Sequence, residues 1–348
     1  MISRTARWLA IAGATLYCLG VVGLAALWSF APSAHWSIAL SNIFAAGFFL
    51  PLLLLVPAAL LLRSRWMYLV TASSFVVFLA LFGTRFVPRA GPAMAGGKTL
   101  RVVTFNQLFY STHMDNQLAA IRAQHADLVA LQELAPPVAE AMRRDLKTIY
   151  PYQILSPSNS AAGIGLLSRY PLEPADGMDG AQGQWAILRV AGQKITVANV
   201  HLHFSGISRI HSQRFGSLSY FRMYDTSGRL RQADALRQAA RNVSGGLIMM
   251  GDFNTGDREP GYAVLASELH DAFGETGTGF GFTFPNHKRM GPITIPVPLV
   301  RIDYVWTRGS VVPVAAHVNC DDGGSDHCMV VADLRIEHPQ SESSSSLD

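Results

Sequence analysis

Residues 1–90 contain no aspartate, glutamate or lysine, and a water-soluble domain does not dress its surface without them. Apolar residues in this stretch gather into three runs, from about Trp8 to Phe30, Ile38 to Leu62 and Trp66 to Gly83. Each is close to the roughly 20 residues that a helix needs to cross ~30 Å of hydrocarbon. Unpaired backbone amides are not tolerated in lipid, so helix is the expected conformation. Pro51 and Pro57 are expected to kink the second run. Trp8, Trp28, Trp36, Trp66 and Tyr68 fall near run ends, where amphipathic rings settle at the membrane interface. A cleaved signal peptide is the alternative for the first run, but its length and the apolar hairpin that follows argue against that. No acidic or lysine side chain interrupts the runs, so nothing marks an ion or substrate pathway and they read as an anchor.

The only charges in this region are six arginines. Arg4, Arg7, Arg63 and Arg65 lie on one side of the runs, which the excess of positive charge in cytoplasmic loops assigns to the cytoplasm. Arg85, Arg89 and Lys98 follow the third run on the other side. The expectation is a multi-pass protein of a bacterial-type plasma (inner) membrane, bound to the bilayer through residues 8–83, with its C-terminal domain extracytoplasmic. The rest of the chain carries 22 basic against 24 acidic residues, so the overall net charge of +4 comes from the membrane region. A near-neutral domain lacks the electrostatic footprint of a nucleic-acid binder.

The organisation that follows is residues 1–85 as three membrane helices, 86–98 as a Pro/Gly/Ala linker, 99–337 as one large domain and 338–348 as a polar tail expected to be disordered. Thirteen extended linker residues reach at most ~45 Å. The large domain alternates strand-like runs (Leu100–Phe105, Leu128–Gln132, Gly163–Leu167, Trp185–Val190, Lys194–Val200, Leu247–Gly251, Arg301–Trp306, Met329–Leu334) with helical ones (Asp115–Gln124, Pro137–Leu146, Arg229–Arg241). Such alternation predicts a layered α/β sandwich.

Nearly every strand run ends in chemistry. The ends carry Asn106, Gln132-Glu133, His201-Leu202-His203, Gly251-Asp252-Phe253-Asn254, Asp303-Tyr304 and Ser325-Asp326-His327. Carboxylate and amide oxygens suit Mg²⁺ or Mn²⁺, which bind through one or two carboxylates with water and phosphate. Histidines beside aspartates suit proton donation to a phosphoryl oxygen. No zinc-type Cys/His spacing, G-x-S-x-G or P-loop is present.

In this order the clusters, with Gly163-Ile164-Gly165-Leu166-Leu167-Ser168-Arg169-Tyr170-Pro171, resemble the endonuclease/exonuclease/phosphatase superfamily over about residues 99–336. The resemblance implies a four-layered α/β sandwich and Mg²⁺-dependent (or Mn²⁺-dependent) phosphoester hydrolysis. It implies Glu133 as metal ligand with Asn106 beside it and Asp326 near the metal. By the same resemblance Asp252 would orient or deprotonate the attacking water, and Asn254 would hold the scissile phosphate. His327, oriented by Asp303, would stabilise the transition state, and His201 matches a histidine of the deoxyribonuclease and sphingomyelinase branches.

The blander alternatives are turn-capping for Asn106 and Asn254 and a helix-start acid for Glu133. His203 stays open between the two, and His113, His125 and His270 read as surface residues. The segment Ser205–Gly228 carries Arg209, Arg214 and Arg222 among aromatics. It is expected to contact an anionic headgroup or the bilayer interface, a solvated loop being the alternative. Cys320 and Cys328 are candidates for a disulfide in an oxidising compartment, which spacing alone leaves open. Three functions fit: a membrane-anchored phosphodiesterase or phosphatase, with phospholipid headgroups as substrate; an extracytoplasmic nuclease; and a non-catalytic scaffold of the same fold. No protein partner is identifiable from the sequence.

Overall fold

In the computed structural model the described residues are 3–32, 35–89, 97–177, 182–203, 207–212, 218–290 and 292–337. The expected tail, most of the linker and Arg214 lie outside them, as do the side chains of Arg209 and Arg222. The chain divides into two compact units, Met1–Val87 with Ser205–Thr226, and Pro88–Phe204 with Ser227–Asp348.

The first unit holds α1 (Arg4–Phe30), α2 (Trp36–Ile43), a 3₁₀ turn at Ala45–Phe49, α3 (Leu52–Leu62) and α4 (Arg65–Phe82), which a second 3₁₀ turn extends to Phe86. The second apolar run is therefore broken rather than kinked. Pro51 has no N–H to continue a helix, and α3 starts immediately after it, whereas Pro57 is accommodated inside α3. Only Arg63 and Ser64 separate α3 from α4. Arg63 turns the chain at φ 47°, and the Ser64 hydroxyl accepts from the Met67 N–H to cap α4. The Arg7 guanidinium donates to the free carbonyl of Leu62 at the end of α3 (3.1 Å), and Trp66 Nε1 donates to Thr15 Oγ1 (2.9 Å). Three segments are long and apolar enough to cross a membrane: Arg4–Phe30, Ala45–Leu62 and Arg65–Phe86. Their outward faces expose Leu9, Leu16, Leu53, Leu54, Leu61 and Val76, a surface suited to lipid rather than water.

The second unit contains two six-stranded sheets. In chain order its elements begin with β1 (Lys98–Asn106), α5 (Met114–Ala123), β2 (Leu128–Gln132), α6 (Pro136–Asp145), β3 (Tyr152–Ser156), β4 (Ile164–Ser168), β5 (Leu172–Ala175), β6 (Gln184–Val190) and β7 (Gln193–His201). The antiparallel hairpin β8 (Ile207–Ser212) and β9 (Leu218–Tyr224) belongs to the first unit, where β9 runs along α2. The second unit resumes with α7 (Ser227–Asn242), β10 (Gly246–Asp252), α8 (Pro260–Ala266), β11 (His270–Asp271), α9 (Ala272–Thr276), the short hairpin β12 (Lys288–Met290) and β13 (Ile293–Ile295), β14 (Asp303–Arg308), β15 (Val311–Asn319) and β16 (Met329–Ile336).

One sheet has the order β15-β16-β1-β2-β4-β3 and the other β11-β14-β10-β7-β6-β5. Both follow the same plan, a central parallel pair (β1 with β2, β7 with β10) flanked by antiparallel strands. The sheets stack face to face over a core that includes Val102, Leu128, Ala130 and Leu166 from one and Leu188, Val197, Ile248 and Met250 from the other. Helices α5 and α6 cover the outer face of the first sheet, and α7 and α8 that of the second. The result is a four-layered α/β sandwich, with central strands buried on both faces as strands covered on both sides must be.

Two features shape one end of the sandwich, the first of which joins the sheets. Gln132 Nε2 donates to Asn199 Oδ1 (2.7 Å), and Asn199 Nδ2 donates to the carbonyls of Leu131 and Gly165. These amides satisfy one another inside the sandwich, as buried polar groups must. At Gly251 (φ 151°) a Cβ would sit 1.8 Å from the Val200 carbonyl oxygen, so only glycine lets β10 pass β7 just before Asp252.

Candidate active site

The polar strand ends meet at that same end of the sandwich. Asn106 ends β1 and Glu133 follows the parallel β2, while His201 and Asp252 end the parallel strands β7 and β10. Asp303 begins the antiparallel β14 directly opposite Asp252, and His327 stands two residues before β16. Antiparallel strands place their starts beside their neighbours' ends, which brings Asp303 and His327 to the same edge.

Asn106 joins the two sheets. Its Nδ2 donates to Asp252 Oδ2 (3.0 Å) from the second sheet and to Glu133 Oε1 (3.2 Å) from the first. Its Oδ1 accepts from the Leu108 N–H, and its backbone carbonyl accepts from Ser325 Oγ (2.7 Å). Glu133 occupies a left-handed backbone position (φ 55°), and its Oε2 accepts from the Phe109 N–H (3.2 Å). Asn254 is left-handed as well (φ 47°). Its N–H bonds Asp252 Oδ1 (2.8 Å) and its side-chain amide donates to the Leu202 carbonyl (2.8 Å). Such conformations in residues other than glycine cost free energy and gather at functional sites.

Two imidazoles face Asp252. His201 Nε2 lies 3.6 Å and His327 Nε2 3.8 Å from Asp252 Oδ2. His327 Nδ1 is 3.0 Å from Asp303 Oδ2, and the ring packs against Phe284 with centroids 4.6 Å apart. Thr283 Oγ1 accepts from the N–H groups of both Ile302 and Asp303, fixing the start of β14. Asp326 receives Lys288 Nζ on Oδ2, and Lys288 also lies over the Phe284 ring. A Cys320–Cys328 disulfide closes the loop that presents Ser325, Asp326 and His327.

The electrostatics follow from burial. Loss of solvent and the neighbouring Asp303 push the Asp252 carboxyl up to about 6, against the pull of His327 and His201. Burial works against the His327 imidazolium, but Asp303 and Asp252 outweigh it and lift its pKa to about 10. His327 thus sits between two carboxylates as a buried cation, able to donate from Nε2 to an anionic oxygen.

Asn106, Glu133, His201, Asp252, Asn254, Asp303 and His327 come together at this edge, with Asp326 next to His327 in the chain. His203, by contrast, is exposed, as are His113, His125 and His270. Sequence reasoning passed over three contributors. Asn199 is a lone amide in an apolar strand, on the same face as His201 two residues on, and that alternation is the signal that could have found it. Lys288 carried no signal, since only the folded loop brings it to Asp326. Arg301 lies before β14 rather than at its start; it is 4% exposed and pairs with Asp271 (2.6 Å) and Asp257 (3.6 Å) against the Tyr304 ring, two residues before Asp303.

The model of the Endonuclease/Exonuclease/phosphatase family matches residues 103–327. No curated protein sequence matches the chain. Solved structures do. A D. rerio TDP2 complexed with single strand DNA product is similar at 16% identity and a TM-score of 0.50, over 68% of this chain and 99% of that one. A truncated Caenorhabditis elegans TDP2 is similar at 16% identity and a TM-score of 0.51, over 68% of this chain and 98% of that one. At such identity the likeness is one of fold.

The residues present fit a divalent metal. Ligand atoms of Asp252, Asp303 and His327 lie within 4.8 Å of one another, and all three residues are buried. Asp303 Oδ1 and Asp326 Oδ1 are buried oxygens without a hydrogen-bond partner. Clustered buried oxygen donors of this kind suit a hard divalent cation.

Proposed function

The chain belongs to the endonuclease/exonuclease/phosphatase family, whose members are generally hydrolases of phosphoester bonds, and we propose that it is a membrane-anchored, metal-dependent phosphoester hydrolase. The supporting observation is the convergence on Asp252: an amide from Asn106 and the imidazoles of His201 and His327 all face one carboxylate oxygen.

Glu133, bonded to Asn106, would hold the metal together with Asp326, whose Oδ1 is buried without a hydrogen-bond partner. When bound, the metal supplies positive charge to a phosphoryl oxygen. Asp252 accepts the proton of the attacking water, a role suited to a carboxyl whose pKa is raised toward neutrality. His327 donates from Nε2 to a phosphoryl oxygen, and Asp303 fixes the Nδ1–H orientation of its ring. His201 Nε2 and the amide of Asn254 hold the phosphate from the second sheet.

The substrate we favour is a phospholipid headgroup, because the anchor and a short linker keep the domain near lipid. The catalytic domain is assigned to the extracytoplasmic side of a bacterial-type inner membrane. The arginine distribution supports this, as does the Cys320–Cys328 bridge, since disulfides persist in oxidising compartments.

The purified full chain, given Mg²⁺, is tested in parallel on bis-nitrophenyl phosphate, phospholipid vesicles and plasmid DNA. We expect metal-dependent turnover of the first two with little nicking of the third. Plasmid cleavage without lipid turnover rejects the lipid assignment, and inactivity on all three favours a non-catalytic scaffold.

A further inference from the structure

Beside Glu133 lies a groove that the reaction leaves unexplained. The loop after β1 and the start of α6 form its walls, with a volume of about 400 Å³. Phe109, Tyr110, Met114, Pro136 and Val138 line it with the neutral polar residues Ser111, Thr112 and Asn159, and among the described residues no charged side chain does. The volume is in the range of small-molecule subsites.

The groove adjoins Glu133 through both of its walls. Glu133 Oε2 accepts from the N–H of Phe109, the first residue of one wall, and Ala135 and Pro136 of the other wall follow Glu133 directly. Asn106 Oδ1 also holds Leu108, which is left-handed at φ 60°. The loop is thus fastened to the metal-side residues at two points, so the wall is in place before anything binds. Tyr110 stands edge-on to Phe109, with centroids 5.1 Å apart, and is 62% exposed. A large aromatic side chain left facing solvent at the mouth of an apolar groove is available for a flat or aliphatic ligand surface.

Charge decides what that ligand is. A polyanion running through the groove from the reacting phosphate would meet no cation on its walls, whereas nucleic-acid strands are held by such cations. We infer that the groove is the subsite for an uncharged, apolar substituent of the phosphoester, an aryl or alkyl group esterified to the phosphate at Glu133. This rests on the phosphoester-hydrolase reading and adds to it the class of group beside the scissile phosphate.

The test uses the full chain in detergent with Mg²⁺ and three methyl phosphodiesters carrying methyl, phenyl or hexyl as the second group, with hydrolysis followed by phosphorus NMR. The subsite predicts kcat/KM for the phenyl or hexyl ester above that for the methyl ester by roughly tenfold or more, mostly through KM. A gain for hexyl alone assigns the groove to aliphatic chains, a gain for phenyl alone to planar rings, and equal gains to apolar groups of either kind. Tyr110→Ala, which removes one wall, and Thr112→Trp, which fills the groove, should each reduce the advantage to within about threefold while leaving methyl-ester turnover unchanged. Equal kcat/KM for all three esters, or an advantage that survives both variants, overturns the subsite while hydrolysis itself stands. Failure to hydrolyse any of them removes the underlying reading instead.

Discussion

His201 Nδ1 lies 2.9 Å from the carbonyl oxygen of Ala161. A carbonyl only accepts, so Nδ1 carries a proton and Nε2 is the nitrogen turned toward Asp252. No carboxylate is needed to orient this ring, because the loop before β4 supplies the acceptor. Replacing His201 with alanine should lower kcat on bis-nitrophenyl phosphate by about 10²-fold with little change in melting temperature, as loss of one positioned donor does. Steady-state kinetics at saturating Mg²⁺ checks this, and near-wild-type kcat would remove His201 from the site.

The pairing of His327 with Asp303 predicts a larger loss. Asp303→Asn keeps a hydrogen-bonding group but permits the wrong imidazole tautomer, and kcat should fall by about 10²- to 10⁴-fold. The comparison with Asp303→Ala is informative. If the asparagine variant retains full activity while alanine does not, Asp303 acts through packing rather than by orienting the ring.

The same pair should make the metal-free protein sensitive to alkali. The His327 pKa is raised from 6.5 to about 10, so its contribution to stability is complete below pH 6.5 and is lost as pH rises through 10. Asp252 is raised from 3.8 to about 6, so its contribution is complete below pH 3.8 and is lost as pH rises through 6. Both act in one direction, and with EDTA present the melting temperature should decline as pH rises from 4 to 10. Added Mg²⁺ should offset the decline by replacing the bound protons. A metal-free melting temperature that rises between pH 6.5 and 9 would contradict these assignments.

Arg301 predicts a structural cost. Its guanidinium is buried between Asp271 and Asp257, and Arg301→Leu strands those carboxylates in the interior. Removing one partner of a buried ion pair costs about 3–5 kcal/mol, which for a domain of this size lowers the melting temperature by about 10 °C. Thermal unfolding followed by tryptophan fluorescence measures it; a shift under a few degrees would mean that the cluster relaxes around the leucine.

Compartment is testable through the disulfide. In native membranes Cys320 and Cys328 should resist thiol labelling until a reductant is added. A phosphatase reporter active only outside the cytoplasm, fused after Asp348, should be active. Free thiols at both positions, or a reporter active only when cytoplasmic, would reverse the topology.

Much of the fold was legible along the chain because central strands announce themselves. The run Leu128–Gln132 coincides with β2, and β1, β7, β10 and β16 depart from their expected bounds by a few residues at most. Buried on both faces, they are continuous apolar runs. Strands β3, β5 and β15 were not anticipated; each lies at a sheet edge and is partly exposed, so its composition resembles that of a loop. The break of the second apolar run at Pro51 was expected only as a kink, because hydropathy reports burial in lipid and not the hydrogen bonds that a proline removes.

What the chain determined by itself was local: segments too apolar for water, strands too apolar for a surface, and a polar residue at the end of each. Composition and periodicity act over a few residues and need no partner to be read. Which strand ends meet was settled only when two sheets stacked face to face. Asn106 and Asp252, 146 residues apart, hydrogen-bond because β1 and β10 end at the same edge of the sandwich, and the raised pKa values of Asp252 and His327 exist only once that packing has excluded water.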